Sequence, residues 1–157
     1  MLVGSASIAQ QTIDQYLRRR PGDLDFYVDN PTVWKYLKQH GKEVPGAIGN
    51  SVIQFTIDGI EVEFFQFLPG YPDHRIGGVF RRGEWSNGVL CMSLWDIALW
   101  KYHLQKMESR AERKRRNDRS DAIRATYREI KNIVFGAMVN ENHGVVASMI
   151  STGMIHA

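Results

Sequence analysis

The acidic segment Gly22-Asp23-Leu24-Asp25-Phe26-Tyr27-Val28 constrains the fold of this chain more than its other motifs do. Asp23 and Asp25 lie two residues apart in a run that is otherwise typical of a strand. Alternation along a strand directs both carboxylates to one face and directs Leu24 and Phe26 to the other. Two carboxylates held this close repel each other unless a cation lies between them. The pattern therefore favours a divalent metal with hard oxygen ligands, Mg²⁺ ahead of Ca²⁺ or Zn²⁺.

Two further features flank this strand. Upstream, a short apolar strand ends in Gly4-Ser5 before a helical pattern over residues 6–20. Small residues at such a turn allow backbone N–H groups and a hydroxyl to approach phosphate oxygens. Downstream, Asp58-Gly59 predicts a tight turn between strands at 52–57 and 60–67, and the returning strand carries Glu61 and Glu63. Taken alone, these glutamates would be the solvent face of an edge strand.

In this order, the Gly4-Ser5 turn, the helix, the Asp23-x-Asp25 strand and the later strand carboxylate resemble the nucleotidyltransferase superfamily. That superfamily includes DNA polymerase beta-like enzymes and small transferases of bacteria, toxin systems and phages. The resemblance covers roughly the first seventy residues. The gap from Ser5 to Asp23 is longer than is usual in the family, with Arg18-Arg19-Arg20 lengthening the helix or its exit.

The resemblance implies an α/β (α+β) fold with a small mixed sheet and C-terminal helices. It implies a nucleotidyltransferase core at 1–92 and a helical region at 93–157 that packs on the core. Asp23, Asp25 and Glu63 would be the metal ligands for Mg²⁺, with Mn²⁺ as an alternative, and Gly4 and Ser5 would hold the NTP. Either Glu63 or Glu61 would be the third catalytic carboxylate, and Glu63 is favoured because the strand continues beyond it.

The C-terminal region adds candidate phosphate-binding cations. Ser93 is expected to cap a helix that carries Lys101, and a basic run from 110 to 119 follows. By resemblance, Lys101 would contact the triphosphate, with help from Lys114 or Arg116. The alternatives are structural salt bridges with Asp118 and Asp121, or, for Lys101, a solvent-facing charge.

Other elements follow from local signals. Asn30-Pro31 predicts a helix start, with Val33, Trp34 and Leu37 inward and an end at Gly41. We expect loops at 42–50 and 69–88, where the second loop would cover the site, touch the acceptor or be solvated.

A last helix begins near Asp121, has apolar residues on one side, and is expected to break at Asn142-His143-Gly144. The apolar tail 145–157 would dock on the core or on another subunit, giving a homo-oligomer.

Composition excludes several classes of protein. The single Cys91 excludes a disulfide framework, and five scattered histidines argue against a histidine-built metal site. The net charge of +3 permits contact with polyanions without requiring it. We expect no signal peptide, no membrane partner and a cytoplasmic location, which would be the host cytoplasm for a phage protein.

The expected function is transfer of a nucleoside monophosphate from an NTP to a hydroxyl. The sequence does not decide whether the acceptor is an RNA or tRNA end, a protein or a small molecule. The alternative is an inactive, antitoxin-like member of the same fold that binds RNA or a protein.

Overall fold

A computed structural model describes residues 1–11, 22–46, 50–71 and 73–151, with side-chain detail for all of these except 73–74 and 134–151. The strands are β1 (Leu2–Val3), β2 (Asp23–Tyr27), β3 (Lys42–Pro45), β4 (Ser51–Ile57), β5 (Ile60–Phe65), β6 (Glu84–Ser86) and β7 (Val89–Cys91). The helices are α1 (Gly4–Gln10), α2 (Pro31–His40), α3 (Asp73–Ile76), α4 (Leu94–Leu104) and α5 (Glu112–Ser151). The predicted helix at 6–20 begins earlier, at Gly4, and its second half, with Arg18–Arg20, lies outside the described residues.

The described strands form one mixed sheet in the order β3-β4-β5-β2-β1-β7-β6. The pairs β2–β5 and β1–β7 are parallel, and the remaining neighbours are antiparallel. This confirms the α+β class and the mixed sheet. One face of the sheet packs under α4 and α5, and the ring pair Phe65–Trp100 at 6.4 Å belongs to that core.

Local signals located the start and end of α2 correctly. The Asn30 side chain accepts hydrogen bonds from two backbone N–H groups, at 2.9 and 3.1 Å, and Pro31 is the first helical residue. The helix ends at Gly41, as predicted. Leu37 is buried, but Val33 is 46% exposed, so its inward placement is wrong. The first turn of α2 lies at the surface, where an apolar residue has nothing to pack against.

Two segments predicted as loops contain strands. Residues Lys42–Pro45 form the edge strand β3, and residues 84–91 form the β6–β7 hairpin around Asn87-Gly88, which has positive φ angles of 48° and 78°. Both predictions failed for the same reason. The strands that fall in the predicted loops, β3 and β6, are four and three residues long and mostly exposed, so backbone pairing with a neighbour, rather than a buried face, holds them in place.

The segment before that hairpin is held to α4 by a buried carboxylate. Asp96 is fully buried and accepts hydrogen bonds from Arg75 and Arg82, each at 2.8 Å. Arg82 also donates to the Tyr71 hydroxyl at 3.0 Å. Burial alone would raise the pKa of Asp96, but hydrogen bonds from Arg82, Tyr71 and Arg75 outweigh burial and hold it below its ordinary value. These arginines therefore stabilise the fold.

The capping prediction for α4 is confirmed, because the Ser93 hydroxyl accepts from the Asp96 N–H at 3.2 Å. In contrast, the predicted break at Asn142-His143-Gly144 is wrong, since α5 runs unbroken to Ser151. One glycine inside a helix costs only about 1 kcal/mol, which the neighbouring turns can offset. Among the described helices, none is long and apolar enough to cross a membrane. The side chains of the apolar tail lie outside the described set.

Candidate active site

The two acidic motifs come together through the pairing of β2 with β5. These strands are parallel neighbours, with Asp23 opposite Glu61 and Asp25 opposite Glu63. Residues opposite each other in a sheet project to the same face, so all four carboxylates share one face. Asp23, Asp25 and Glu63 line a common cleft. Glu61 lies at the exposed start of β5.

The Gly4-Ser5 turn lies against the same carboxylates. Val3 pairs with Asp25 across the β1–β2 ladder, so the chain turns into α1 directly beside that residue. Gly4 has a φ of +67°, and a Cβ placed there would lie 2.9 Å from Asp25 Oδ2. Both the backbone angle and the close approach require glycine. Ser5 is buried and borders the cleft together with Asp23 and Asp25.

Cations from the C-terminal region cover the cleft opposite the carboxylates. Lys101 borders the cleft but is only 7% exposed, so the expectation of a solvent-facing charge is wrong. Its Nζ lies 2.9 Å from Asp118 Oδ1 and 3.9 Å from Asp121 Oδ2. The structural salt bridges expected as an alternative are therefore formed, and Lys101 both forms them and faces the cleft. Arg110 also binds Asp118, which holds the two cations side by side.

Lys114 and Arg116 lie on different sides of α5. Lys114 is exposed and lines the cleft, whereas Arg116 is 3.9 Å from Glu112 on the solvent side of α5. Sequence reasoning missed Arg110 and Arg113, which also border the cleft. The spacing contains a usable signal for α5, because Arg113 or Lys114 and Asn117 lie three or four residues apart, as a single helical face requires. Arg110 lies before the start of α5 and carries no such signal.

The outer end of the cleft carries one polar and one aromatic side chain that sequence reasoning also missed. Asn50 and Phe67 line it, and Phe67 is 46% exposed beside Glu63 and Pro69. Glu63 itself accepts a long hydrogen bond of 3.5 Å from Gln54 on β4. No residue pattern marked Asn50, which lies just before β4. Phe67 was predicted as the last residue of the strand at 60–67, but β5 ends at Phe65 and leaves Phe67 beyond it.

Two carboxylates of the cleft, those of Asp25 and Glu63, have raised pKa values. Burial is the main cause of the rise in the pKa of Asp25 to about 7, and the neighbouring charges of Asp23 and Glu63 add to it. Lys101 and Arg110 oppose this rise but do not cancel it. The pKa of Glu63 is also raised, by burial first and then by the charges of Glu61 and Asp23. Burial and the neighbouring carboxylates thus outweigh the effect of the cations that line the cleft.

The donor set suits a hard divalent cation. Asp23, Asp25 and Glu63 offer carboxylate oxygens only, which Mg²⁺ and Mn²⁺ accept. Burial first, and then the charges of Asp23 and Glu63, raise the pKa of Asp25, and a bound cation would offset both effects. Across the described residues, however, no three His, Cys, Asp or Glu side chains are gathered closely enough to hold a metal ion. The metal site therefore stays a prediction. The carboxylate donors and their common face of the sheet support it, but their side chains are not arranged as a coordination shell.

Comparison with known proteins adds no relative. The chain matches no family model, no curated protein and no solved structure. The function of this cleft must therefore be inferred from its own residues and from their arrangement.

Proposed function

We propose that the cleft transfers a nucleoside monophosphate from an NTP to a hydroxyl acceptor in a metal-dependent reaction. The supporting observation is the register of β2 with β5, which aligns Asp23-x-Asp25 with Glu61-x-Glu63 on one face. A carboxylate floor facing a cationic cover is the charge arrangement that a metal-bound triphosphate requires.

In this proposal, the two sides of the cleft bind different parts of the substrate. Asp23, Asp25 and Glu63 would hold Mg²⁺ or Mn²⁺, which when bound supplies charge stabilisation to the triphosphate and to the attacking and leaving oxygens. Lys114 and Arg110 bind the β- and γ-phosphate oxygens from the opposite wall. Because Arg110 is also tied to Asp118, its guanidinium is oriented before substrate arrives.

The chemical step needs one proton acceptor. The acceptor oxygen forms a bond to the α-phosphorus, the bond from that phosphorus to the bridging oxygen breaks, and pyrophosphate leaves. The proton of the attacking hydroxyl passes to the Glu63 carboxylate, with Glu61 as the alternative base. The raised pKa of Glu63 suits this role, because a base is most effective when its pKa approaches the working pH.

One observation favours a second candidate, a non-catalytic member of this fold that binds RNA or a protein. The described carboxylates are not gathered into a metal site, and Asp25 would be largely protonated below neutral pH. Such a protein would bind nucleotide weakly or not at all, with or without metal.

The two candidates are separated by a labelling experiment. The protein is incubated with each α-labelled NTP, Mg²⁺ and cell extract, and the RNA, protein and small-molecule fractions are assayed for label. Wild type should label one fraction, and Asp25→Asn should label none. The matched control is Asp58→Asn, which removes an exposed carboxylate from the nearby β4–β5 turn and should keep full activity. A fully active Asp25→Asn protein would refute the catalytic assignment.

Binding is tested separately by calorimetric titration with a non-hydrolysable NTP analogue, in Mg²⁺ and in EDTA. Affinity should depend on the metal, because the carboxylate floor repels a bare triphosphate. Absence of binding in both conditions, together with absence of label, would favour the non-catalytic candidate.

A further inference from the structure

The outer surface of α4 and α5 carries an apolar face whose large side chains are exposed in the described part of the chain. We call it the α4–α5 face, and it consists of two stripes: Trp95, Leu99 and Tyr102 on α4, and Ile123, Tyr127 and Ile130 on α5. Both stripes follow the same spacing of four and then three residues, which places each on one side of its helix. The stripes flank a groove of about 680 Å³.

These side chains are unusually open for large apolar groups. Ile123 is 60% exposed and Tyr127 is 55% exposed, although the opposite side of α5 is buried at Ala125. Soluble monomers rarely expose contiguous apolar patches larger than a few hundred Å². Half-exposed side chains of this size each present roughly 100 Å², so the two stripes together present roughly 500 Å² per chain. A standard protein interface buries about 800 Å² per partner, and the polar rim of the groove can supply the difference.

The two ends of the face carry opposite charge. Arg119 lines the groove beside Tyr102, and Lys106 donates to the Tyr102 hydroxyl at 2.6 Å, so this end is basic. At the other end, Glu84 and Glu129 border Trp95 and Leu99.

The cations that line the acidic end, among the described residues, are Arg75 and Arg82. Both are directed to the buried Asp96. Burial first, and then the neighbouring charge of Glu84, raise the pKa of Glu129.

We propose that the α4–α5 face binds the same face of a second copy of this chain, in an antiparallel arrangement about a two-fold axis. A two-fold axis through the middle of the face reverses its direction in the partner copy, so the basic end of each copy meets the acidic end of the other. The apolar stripes of one copy then pack against the same stripes of the other, and each contact occurs twice, as in any isologous interface. Charge reversal along a single face is what makes it complementary to itself. The proposal does not depend on the activity of the cleft, and it uses a surface distinct from the apolar tail.

The first test measures association of the full chain by sedimentation velocity, up to roughly 100 μM protein, a range that covers weak and tight dimers. Wild type should form a dimer, and Tyr127→Glu should weaken it by roughly a hundredfold, because the change places two buried charges in each dimer. The matched control is Tyr36→Glu, which alters a tyrosine that is 60% exposed on α2, and it should dimerise like wild type. Circular dichroism should show the same helix content in all three proteins.

The second test reverses the charges without touching the apolar stripes. Arg119→Glu and Glu129→Arg should each weaken the dimer by roughly tenfold, because each sets like charges against each other. The double variant should restore the dimer to within roughly threefold of wild type. A monomeric wild type, or a dimer that persists in Tyr127→Glu, would overturn the proposal. Failure of the double variant to recover would overturn the antiparallel arrangement.

Discussion

Asp25→Asn should stabilise the metal-free protein at alkaline pH. The pKa of Asp25 is raised to about 7 in the folded state, from an ordinary value of 3.8. Between these values the folded protein retains a proton that the unfolded chain has released, so folding stability falls as the pH rises through this window. At about 1.4 kcal/mol per pKa unit, the total loss is about 4 kcal/mol by pH 8. Asparagine cannot ionise and therefore does not incur the loss.

The measurement is urea unfolding in EDTA at several pH values from about 4 to about 8, monitored by tryptophan fluorescence. The two proteins should have similar stability at the acid end, and the variant should be up to about 4 kcal/mol more stable at the alkaline end. The difference between them isolates Asp25 from other titrating groups. Asp96 in particular acts in the opposite direction, because its lowered pKa makes stability fall as the pH drops toward that pKa.

Two further observations make the test decisive. Asp58→Asn removes an exposed carboxylate and should follow wild type at every pH. Added Mg²⁺ should stabilise wild type at alkaline pH and have much less effect on Asp25→Asn, because a ligand that binds only the folded state raises its stability. If Asp25→Asn loses stability with pH as steeply as wild type does, the raised pKa argued for Asp25 from its burial and from the neighbouring carboxylates is refuted.

Three other predictions follow from the cleft. Glu63→Gln should lower turnover by roughly a hundredfold or more and Glu61→Gln much less, measured with labelled NTP; the reverse order would move the third carboxylate to Glu61. Lys101→Met should lower the free energy of unfolding by about 3 kcal/mol in urea titrations, because it leaves buried carboxylates short of a cation; an unchanged stability would return Lys101 to a purely substrate-binding role. Gly4→Ala should cost about 2 kcal/mol, from its positive φ and from contact with Asp25, in the same titrations; a neutral effect would show that the turn has room for a side chain.

Much of the candidate site could be predicted because its signals are local. Alternation in Asp23-Leu24-Asp25 already sends both carboxylates to one face. Asp58-Gly59 predicts the turn after which Glu61 and Glu63 must alternate in the same way. The structure has these features, with φ angles of 50° and 77° at the turn. The family resemblance implied only that a carboxylate on a following strand shares this face. The parallel pairing of the two acidic strands and its register came from the structure.

Charged side chains at a distance were harder to predict. Lys101 is an interior cation because Asp118 and Asp121, about five helical turns later in the sequence, return beside it through the α4–α5 hairpin. Arg110 enters the cleft for the same reason. Nothing in the residues around either cation distinguishes it from the many solvated charges of that region.

The sequence by itself determined the elements whose reasons lie within a few residues: the Asn30 and Ser93 caps, the hairpin turn, and the side of each helix on which apolar residues collect. The tertiary structure alone decided what those sides face. The stripe at Ile123 and Tyr127 is apolar enough for a core, yet it lies at the surface, because the opposite side of α5 already packs on α4 through small residues such as Ala125. The periodicity of the sequence identifies an apolar face on a helix. Only the tertiary packing shows whether that face lies in the core or at the surface.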